Sequence, residues 1–548
     1  MKLASDIDRI QAEYGFHPID NLLAPGIRMD DPKMVTPVIA EQDGRSLLLA
    51  REQETGNLAA LGVPRSELRF FERYFSFDNV VNGSEAYPDL AEAVADLAAA
   101  RPVTVGPDLP LGRYHQLARR VDVTVEDDAT APIPVVAYRL PRSAVEERFR
   151  QLRAEGPDVA RRIVEQRPHL ADLRDLFDAD RDTRFQALDA TLEELGVSAV
   201  AASAPPNLSE LTGLRPRKGV VVVAPRNDDA VYLVAPDYDH TVPGVPLGRY
   251  PDLPAAVQSL GGGTTIAVED GWMGVGEAQA WQDHGLELIS ATAALAKWRE
   301  HRDHEDLAFA IVAAQATRYS IEGALGHAER ALGAGEEVTE RSIYRHALGL
   351  THDFRKEFGI PFTIQPFFVN LHAANRSLYP AIPVEFAIND ATRTVKFDAG
   401  LKVCVDGVVL GTSDMARTLV RTPEAKEAYD IFMHIVQDEV IPSLRPGTVL
   451  ESAHRLCVDK VLEREEQLVD AGTMPPGVDL HTEYGRRNVG HLMGKQESFV
   501  TELRPGHTET LREGAIGAVE IQWPYGEYSI AAEDLWFAGP ERTYVTSA

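Results

Sequence analysis

The chain has 548 residues, 44% hydrophobic and 25% charged, with 84 Asp and Glu against 55 Lys and Arg and a formal net charge of −29. That length exceeds one ordinary domain, the composition is that of a folded globular protein, and the acidity argues against nucleic-acid or anionic-membrane partners. No apolar run approaches the roughly 20 residues of a membrane span, and two cysteines, Cys404 and Cys457, make no disulfide framework, so a cytoplasmic location is expected.

The opening MKLASDIDRIQAEYG is polar and reads as helix rather than as a leader. Strand-like runs VTPVIAEQ, SLLLA, RPVTVGP and VDVTVED then alternate with helical stretches such as LAEAVADLAAA, the pattern of an α/β domain. From Arg142 the sequence reads as one or two amphipathic helices leading to a second α/β segment. There a helix from Phe185 to Leu195 is ended by Gly196, followed by the buried strand SAVAAS, a turn at Pro205-Pro206, and the strands GVVVVAP, AVYLVAP and TTIAVED. The first segment looks like a worn copy of the second, because both run strand, helix, strand, helix, strand. From about Glu305 a long helical pattern stops at Gly333 and Gly335, and a capping signal at Thr339 starts another. Two further helices, TPEAKEAYDIFMHIVQDEVIPSL and TVLESAHRLCVDKVLEREEQLVDAG, follow the first of two hairpins.

That hairpin is TVKFDAGLKVCVDGVVLGTSDMARTL, from Thr394, whose alternating runs meet at Asp406-Gly407. With a three-residue loop and Gly407 left-handed, Asp398 lies opposite Asp414. A two-residue loop shifts the pairing by one and sends one carboxylate to the other face. The second hairpin, Ile516 to Trp523 and Tyr528 to Phe537, flanks Gly526-Glu527, a pair suited to a type II′ turn, and sets Glu520 opposite Glu533. Facing Cβ atoms are about 4.5–5.5 Å apart, so two ionised carboxylates there need a proton or a cation between them. His491, in NVGHLMG, comes between the hairpins among glycines that permit close backbone approach. Four carboxylates and one imidazole in this order suit a pair of divalent cations about 3.5–4 Å apart.

At FDAG, SDMART, GHLMG, VEIQWPY and AAEDLWF the chain resembles the creatinase/aminopeptidase P/methionine aminopeptidase family, whose catalytic domain has the pita-bread fold. The resemblance implies that Asp398, Asp414, His491, Glu520 and Glu533 bind two divalent metal ions, with Mn, Fe, Zn and Co all admissible. It implies an α+β fold with a pita-bread domain over 303–548. Two α/β domains like the creatinase N-terminal domain would precede it: 181–302, where NLSELTGL carries the likeness, and a degenerate copy in 1–180 with a helical linker from about 142. That is the layout of the larger, three-domain aminopeptidase P type, and a homodimer goes with it.

The match departs from the peptidases at two histidines that hydrogen-bond the scissile amide and its tetrahedral intermediate. Leu378 stands at the first place, with His372 nearby, and Gln496-Glu497 stands at the second. His372, Tyr379, Gln496 and Glu497 are therefore the candidates for proton transfer and hydrogen bonding to substrate. Ala416 replaces a threonine, and the longer CVDGV turn brings Asp406 towards the site mouth. Retained ligands without the histidines imply a metallohydrolase acting on a small amide or peptide-like substrate. Two other readings are a non-hydrolytic metal enzyme, as in dimethylsulfoniopropionate lyases of this fold, and a binding protein on a dead peptidase, as in one histone-chaperone subunit.

Overall fold

A computed structural model describes residues 1–15, 37–74, 77, 86–126, 132–177, 182–239, 243–485, 487–495 and 500–548. Among these, no helix is long and apolar enough to cross a membrane.

Two sheets of like construction come first. One has six strands in the spatial order Leu68–Phe71, Arg45–Arg51, Val38–Gln42, Lys2–Ala4, Val103–Val105, Val123–Val125. The other has seven, in the order Val245–Tyr250, Val135–Pro141, Ala230–Pro236, Val221–Pro225, Ala199–Ala202, Thr265–Val268, Glu287–Ser290. Lys2–Ala4 in the first and Ala199–Ala202 in the second each pair antiparallel with the next strand on one side and parallel with a later one on the other. The equivalent helices Leu90–Ala98 and Leu253–Leu260 both start under an aspartate, Asp89 or Asp252, whose carboxylate accepts an otherwise orphaned amide hydrogen. The internal copy read from the pattern is thus present as topology.

Three expectations are corrected. Lys2–Ala4, in the opening stretch expected to be helical, is a central strand, because Leu3 is buried between two neighbouring strands; three residues are too few for alternation to show. Pro205 and Pro206 begin the helix Pro205–Thr212, where a missing amide hydrogen and a fixed φ cost nothing. The strand Val135–Pro141 pairs with Ala230–Pro236 inside the second sheet, so the first sheet's domain ends before residue 135 and not near 180.

The remainder forms two four-stranded antiparallel sheets with helices outside. The first comprises Thr363–Ala373, Thr394–Val405, Val408–Thr412 and Met415–Val420, and the second Gly490–Leu492, Ile516–Tyr525, Tyr528–Ala538 and Thr543–Val545. Helices Leu307–Gly333 and Glu340–Glu357 pack on the first, the latter entered through a capping box between Thr339 and Ser342. The sheets meet along Met415–Val420 and Tyr528–Ala538, where side chains replace a backbone ladder. Thr418 Oγ1 accepts from Ala531 N (2.8 Å) and donates to Ala531 O (2.9 Å), and Thr394 Oγ1 accepts from Ser529 N (3.0 Å).

Both earlier domains dock onto this unit. The first packs Tyr74 on Tyr379 and Phe77 on Trp523, with ring centroids 5.7 and 4.9 Å apart. Asn57 Oδ1 accepts from Ile382 N at 2.9 Å, and a Cβ at Gly56 would stand 2.7 Å from Ser377 Oγ, so only glycine fits that approach. The second is joined through buried charges: Arg153 and Arg302 bond Glu305, and Lys495 pairs with Glu210 at 3.0 Å. Burial pushes the Glu305 carboxyl up, but Arg302, Arg153 and Lys495 outweigh it and hold the group at about 2, below the ordinary 4.5. A depressed carboxyl adds stability above the unfolded value that is lost as pH falls through the folded one. The stability gap between wild type and Glu305→Gln, followed by urea unfolding, should therefore be widest above pH 4.5 and narrow steadily as pH falls towards 2.

Candidate metal centre

Asp406 and Gly407 both have positive φ, 50° and 82°, the signature of a two-residue type I′ turn rather than a three-residue loop. That turn alone would put Asp398 and Asp414 on opposite faces. A bulge at Leu410 adds one residue, since Cys404 pairs with Val409 but Val403 with Gly411, and so restores the parity. Asp398 then lies opposite Ala416, not Asp414 as the three-residue loop required. Asp414 stands two residues away in a break of the ladder at Ser413-Asp414, and both carboxylates line one cavity. Ser413 secures the break: its amide donates to Leu401 O at 3.0 Å, and its Oγ accepts from Leu401 N at 2.9 Å. A Cβ at Gly400 would lie 2.1 Å from Ser413 O, so this approach requires glycine.

In the second hairpin Glu520 lies opposite Glu533, with Gly526 at φ 60° in the turn. His491 pairs in register with Ala518 on the neighbouring strand. Gly490, at φ 143°, and Gly517 permit this: a Cβ would stand 2.1 Å from Ala518 O on the first and 2.5 Å from His491 O on the second. The His491 Nδ1 contacts Leu492 O at 3.0 Å and its Nε2 faces Asp414 Oδ2 at 3.4 Å.

Asp414, His491 and Glu533 each offer a donor atom within 4.8 Å of the others, all three buried. Two carboxylates and an imidazole at that separation can hold a divalent ion, and the set suits Mn, Fe, Zn or Co. Asp398 and Glu520 share the cavity but face cations of the protein. Asp398 Oδ2 accepts from Gln522 Nε2 at 3.3 Å with Lys396 Nζ at 3.5 Å, and Lys396 also hydrogen-bonds Gln522. Glu520 Oε2 accepts from the Arg487 guanidinium at 2.9 Å. Burial raises the Glu520 carboxyl, but Arg487, His491, Gln522 and Lys396 together bring it below its ordinary value.

The other candidates stand elsewhere. His372 is fully buried beside Lys396 in register, its Nδ1 against Ser377 O at 2.9 Å, and burial with Lys396 and Arg376 holds it far below the usual imidazole value. Asn370, opposite Asp398, lines the cavity on that strand. The Tyr379 hydroxyl approaches Glu52 at 3.4 Å under the first domain, and burial raises it. Asp406 is not at the cavity: it pairs with Arg148 of the second domain at 2.8 Å. Gln496 and Glu497 lie outside the described residues. Cys404 and Cys457 are buried free thiols.

The cavity is about 730 Å³ and has a roof that no motif announced. Arg51, Glu54, Glu72, Arg73 and Tyr74 of the first domain face the two hairpins, and Arg487, Asn488, Glu502 and Arg504 close one side. Lys396 and Gln522 were legible in principle, since each sits two residues from a carboxylate on a strand and so shares its face. Arg487 and the roof carry no such signal.

Residues 324–538 match Metallopeptidase family M24, and residues 184–301 match the Creatinase/Prolidase N-terminal domain. Residues 324–538 form an M24-family domain. Both M24-type matches lie beyond residue 183, so the first sheet's domain falls outside them. The fold is similar to the prolidase from Pyrococcus horikoshii OT3, at TM-score 0.51 and 15% identity over 67% of this chain and 98% of that one. It is similar to an Xaa-Pro dipeptidase from Bacillus anthracis at 0.51 and 16%, over 66% and 96%. The N-terminal domain of FACT complex subunit SPT16 from chickpea, Cicer arietinum, gives 0.51 and 13%, over 67% and 95%. Among curated proteins, no sequence matches.

Within the M24 unit, Arg417 ties the two sheets at the ligand strands. It donates to the Glu533 carbonyl at 2.6 Å and to Asp534 Oδ1 at 2.8 Å, and both partners of the ion pair are buried. Arg417→Met strands the Asp534 charge and should cost about 3–5 kcal/mol in urea unfolding. Lys426→Met, which removes the exposed i,i+4 pair with Asp430, should cost no more than about 0.5 kcal/mol.

Proposed function

We propose that this chain is a divalent-metal-dependent hydrolase that cleaves an amide in a small, charged or zwitterionic, peptide-like substrate. The observation that carries this reading is the convergence of Asp414, His491 and Glu533, the two carboxylates lining a cavity large enough for a dipeptide-sized molecule. Bound there, a divalent ion polarises a substrate oxygen and lowers the pKa of water towards neutrality.

The chain's own side chains supply recognition and orientation. The walls carry both signs of charge, with Arg51 paired to Glu72 at 2.7 Å and Arg504 to Glu502 at 3.1 Å. Such walls suit a molecule that bears an ammonium and a carboxylate, and the roof of the first domain limits its length. Asn370 and Asn488 offer amide groups to a substrate carbonyl. His372 has no place in this scheme, because it is buried against Ser377 and is not among the side chains that line the cavity. That observation also suits a second reading, a non-hydrolytic reaction on the same metal, and the retained set Asp414, His491 and Glu533 counts against a binding protein without a metal.

The test is turnover of a panel of Xaa-Pro and other dipeptides by protein stripped with a chelator and reloaded with Mn, Zn, Co or Fe. Activity should vanish on stripping and return with the ion. Asp414→Asn should lose more than ~100-fold, beyond the range typical of merely supporting residues. Metal binding without turnover of any dipeptide would move the assignment to the non-hydrolytic reading.

A further inference from the structure

Four carboxylates, Asp398, Asp414, Glu520 and Glu533, are buried in one patch with a histidine. Two divalent ions would neutralise all four. The patch, however, already holds two cations of the protein. Lys396, almost completely buried, stands 3.5 Å from Asp398 and shares Gln522 with it, and the Arg487 guanidinium bonds Glu520 at 2.9 Å.

We infer that the centre binds a single divalent ion, at Asp414, His491 and Glu533, and that the Lys396 ammonium and Arg487 guanidinium take the electrostatic place of a second. The inference rests on the metal reading above. Two side-chain cations and one divalent ion supply four positive charges for four carboxylates. Two ions beside Lys396 and Arg487 would leave an excess of two positive charges out of water, which costs several kcal/mol per charge. Of the neighbouring charges, Arg504 is paired with Glu502 and Arg51 with Glu72, and Arg417 is shared by Asp534 and Glu322. The geometry agrees with the charge count. Donor atoms of Asp414, His491 and Glu533 converge as a set, whereas Asp398 directs Oδ2 to Gln522 and Glu520 directs Oε2 to Arg487. Lys396 sits two residues before Asp398, so the strand register keeps its side chain on the same face of the sheet as that carboxylate.

Metal-free protein titrated with Mn²⁺, with stoichiometry from equilibrium dialysis and elemental analysis and with an electron paramagnetic resonance spectrum of the loaded form, tests this without recourse to activity. One ion per chain is expected, with the six-line signal of an isolated Mn²⁺. Asp398→Asn should keep that ion, Asp414→Asn should lose it, and Lys396→Met with Arg487→Met should raise the count to two with a spin-coupled spectrum. Two ions per wild-type chain with a coupled signal, one of them lost in Asp398→Asn, would overturn the inference while leaving the metal reading intact. No bound ion at all would overturn both. Should the double variant fail to fold, the wild-type count and spectrum together with Asp398→Asn decide the matter.

Discussion

The constraint on which the rest of this structure depends is charge neutrality in a buried patch of sheet. Asp398, Asp414, Glu520 and Glu533 are all nearly inaccessible to water, and carboxylates in such a place remain ionised only if positive charge stands with them. Part of that charge is covalently built in, from Lys396 on the strand beside Asp398 and from Arg487 ahead of His491. The remainder is the proposed ion. On the proposed single-ion centre, electrostatics of this kind divides the carboxylates between the ion and the Lys396 ammonium and Arg487 guanidinium.

Holding the patch together falls to the seam between two half-sheets. Among the described residues no backbone ladder joins Met415–Val420 to Tyr528–Ala538. Instead Thr418, Thr394 and Arg417 bridge the edges through side chains, and Arg417 reaches the backbone of Glu533 itself. The glycines at 400, 490 and 517 serve the same end, since each lets a neighbouring backbone come closer than any Cβ would allow. The two earlier domains add enclosure. One fastens the outer face through buried ion pairs, and the other lays Tyr74, Phe77 and Asn57 across the opening and so brings polar groups of its own to the cavity.

Much of this was legible beforehand. The Gly526-Glu527 turn fixed its hairpin's register, because a Gly-X pair admits one loop length and hence one pairing. The capping box at Thr339 and the glycine stop after the long helix held for the same local reason. The first hairpin was harder. Its turn has two residues, not three, and the carboxylates nonetheless share a face because a bulge at Leu410 offsets the shift. Nothing in the local sequence announces that bulge. Gly411 there lies against the backbone of Phe309, a contact far away in sequence.

The sequence by itself determined most of the elements, their alternation and the register of the second hairpin, because these follow from local periodicity and turn chemistry, and its short motifs named five candidate side chains for the site. Only the tertiary structure decided which of those side chains converge, that His372 is buried against Ser377 and does not line the cavity, that Val135–Pro141 belongs to the second sheet, and that Lys396 and Arg487 stand among the acids. The reason is physical: spacing along a strand fixes the face on which a residue lies. Its distance from a charge on another strand depends on bulges, seams and domain docking that form only when distant segments pack.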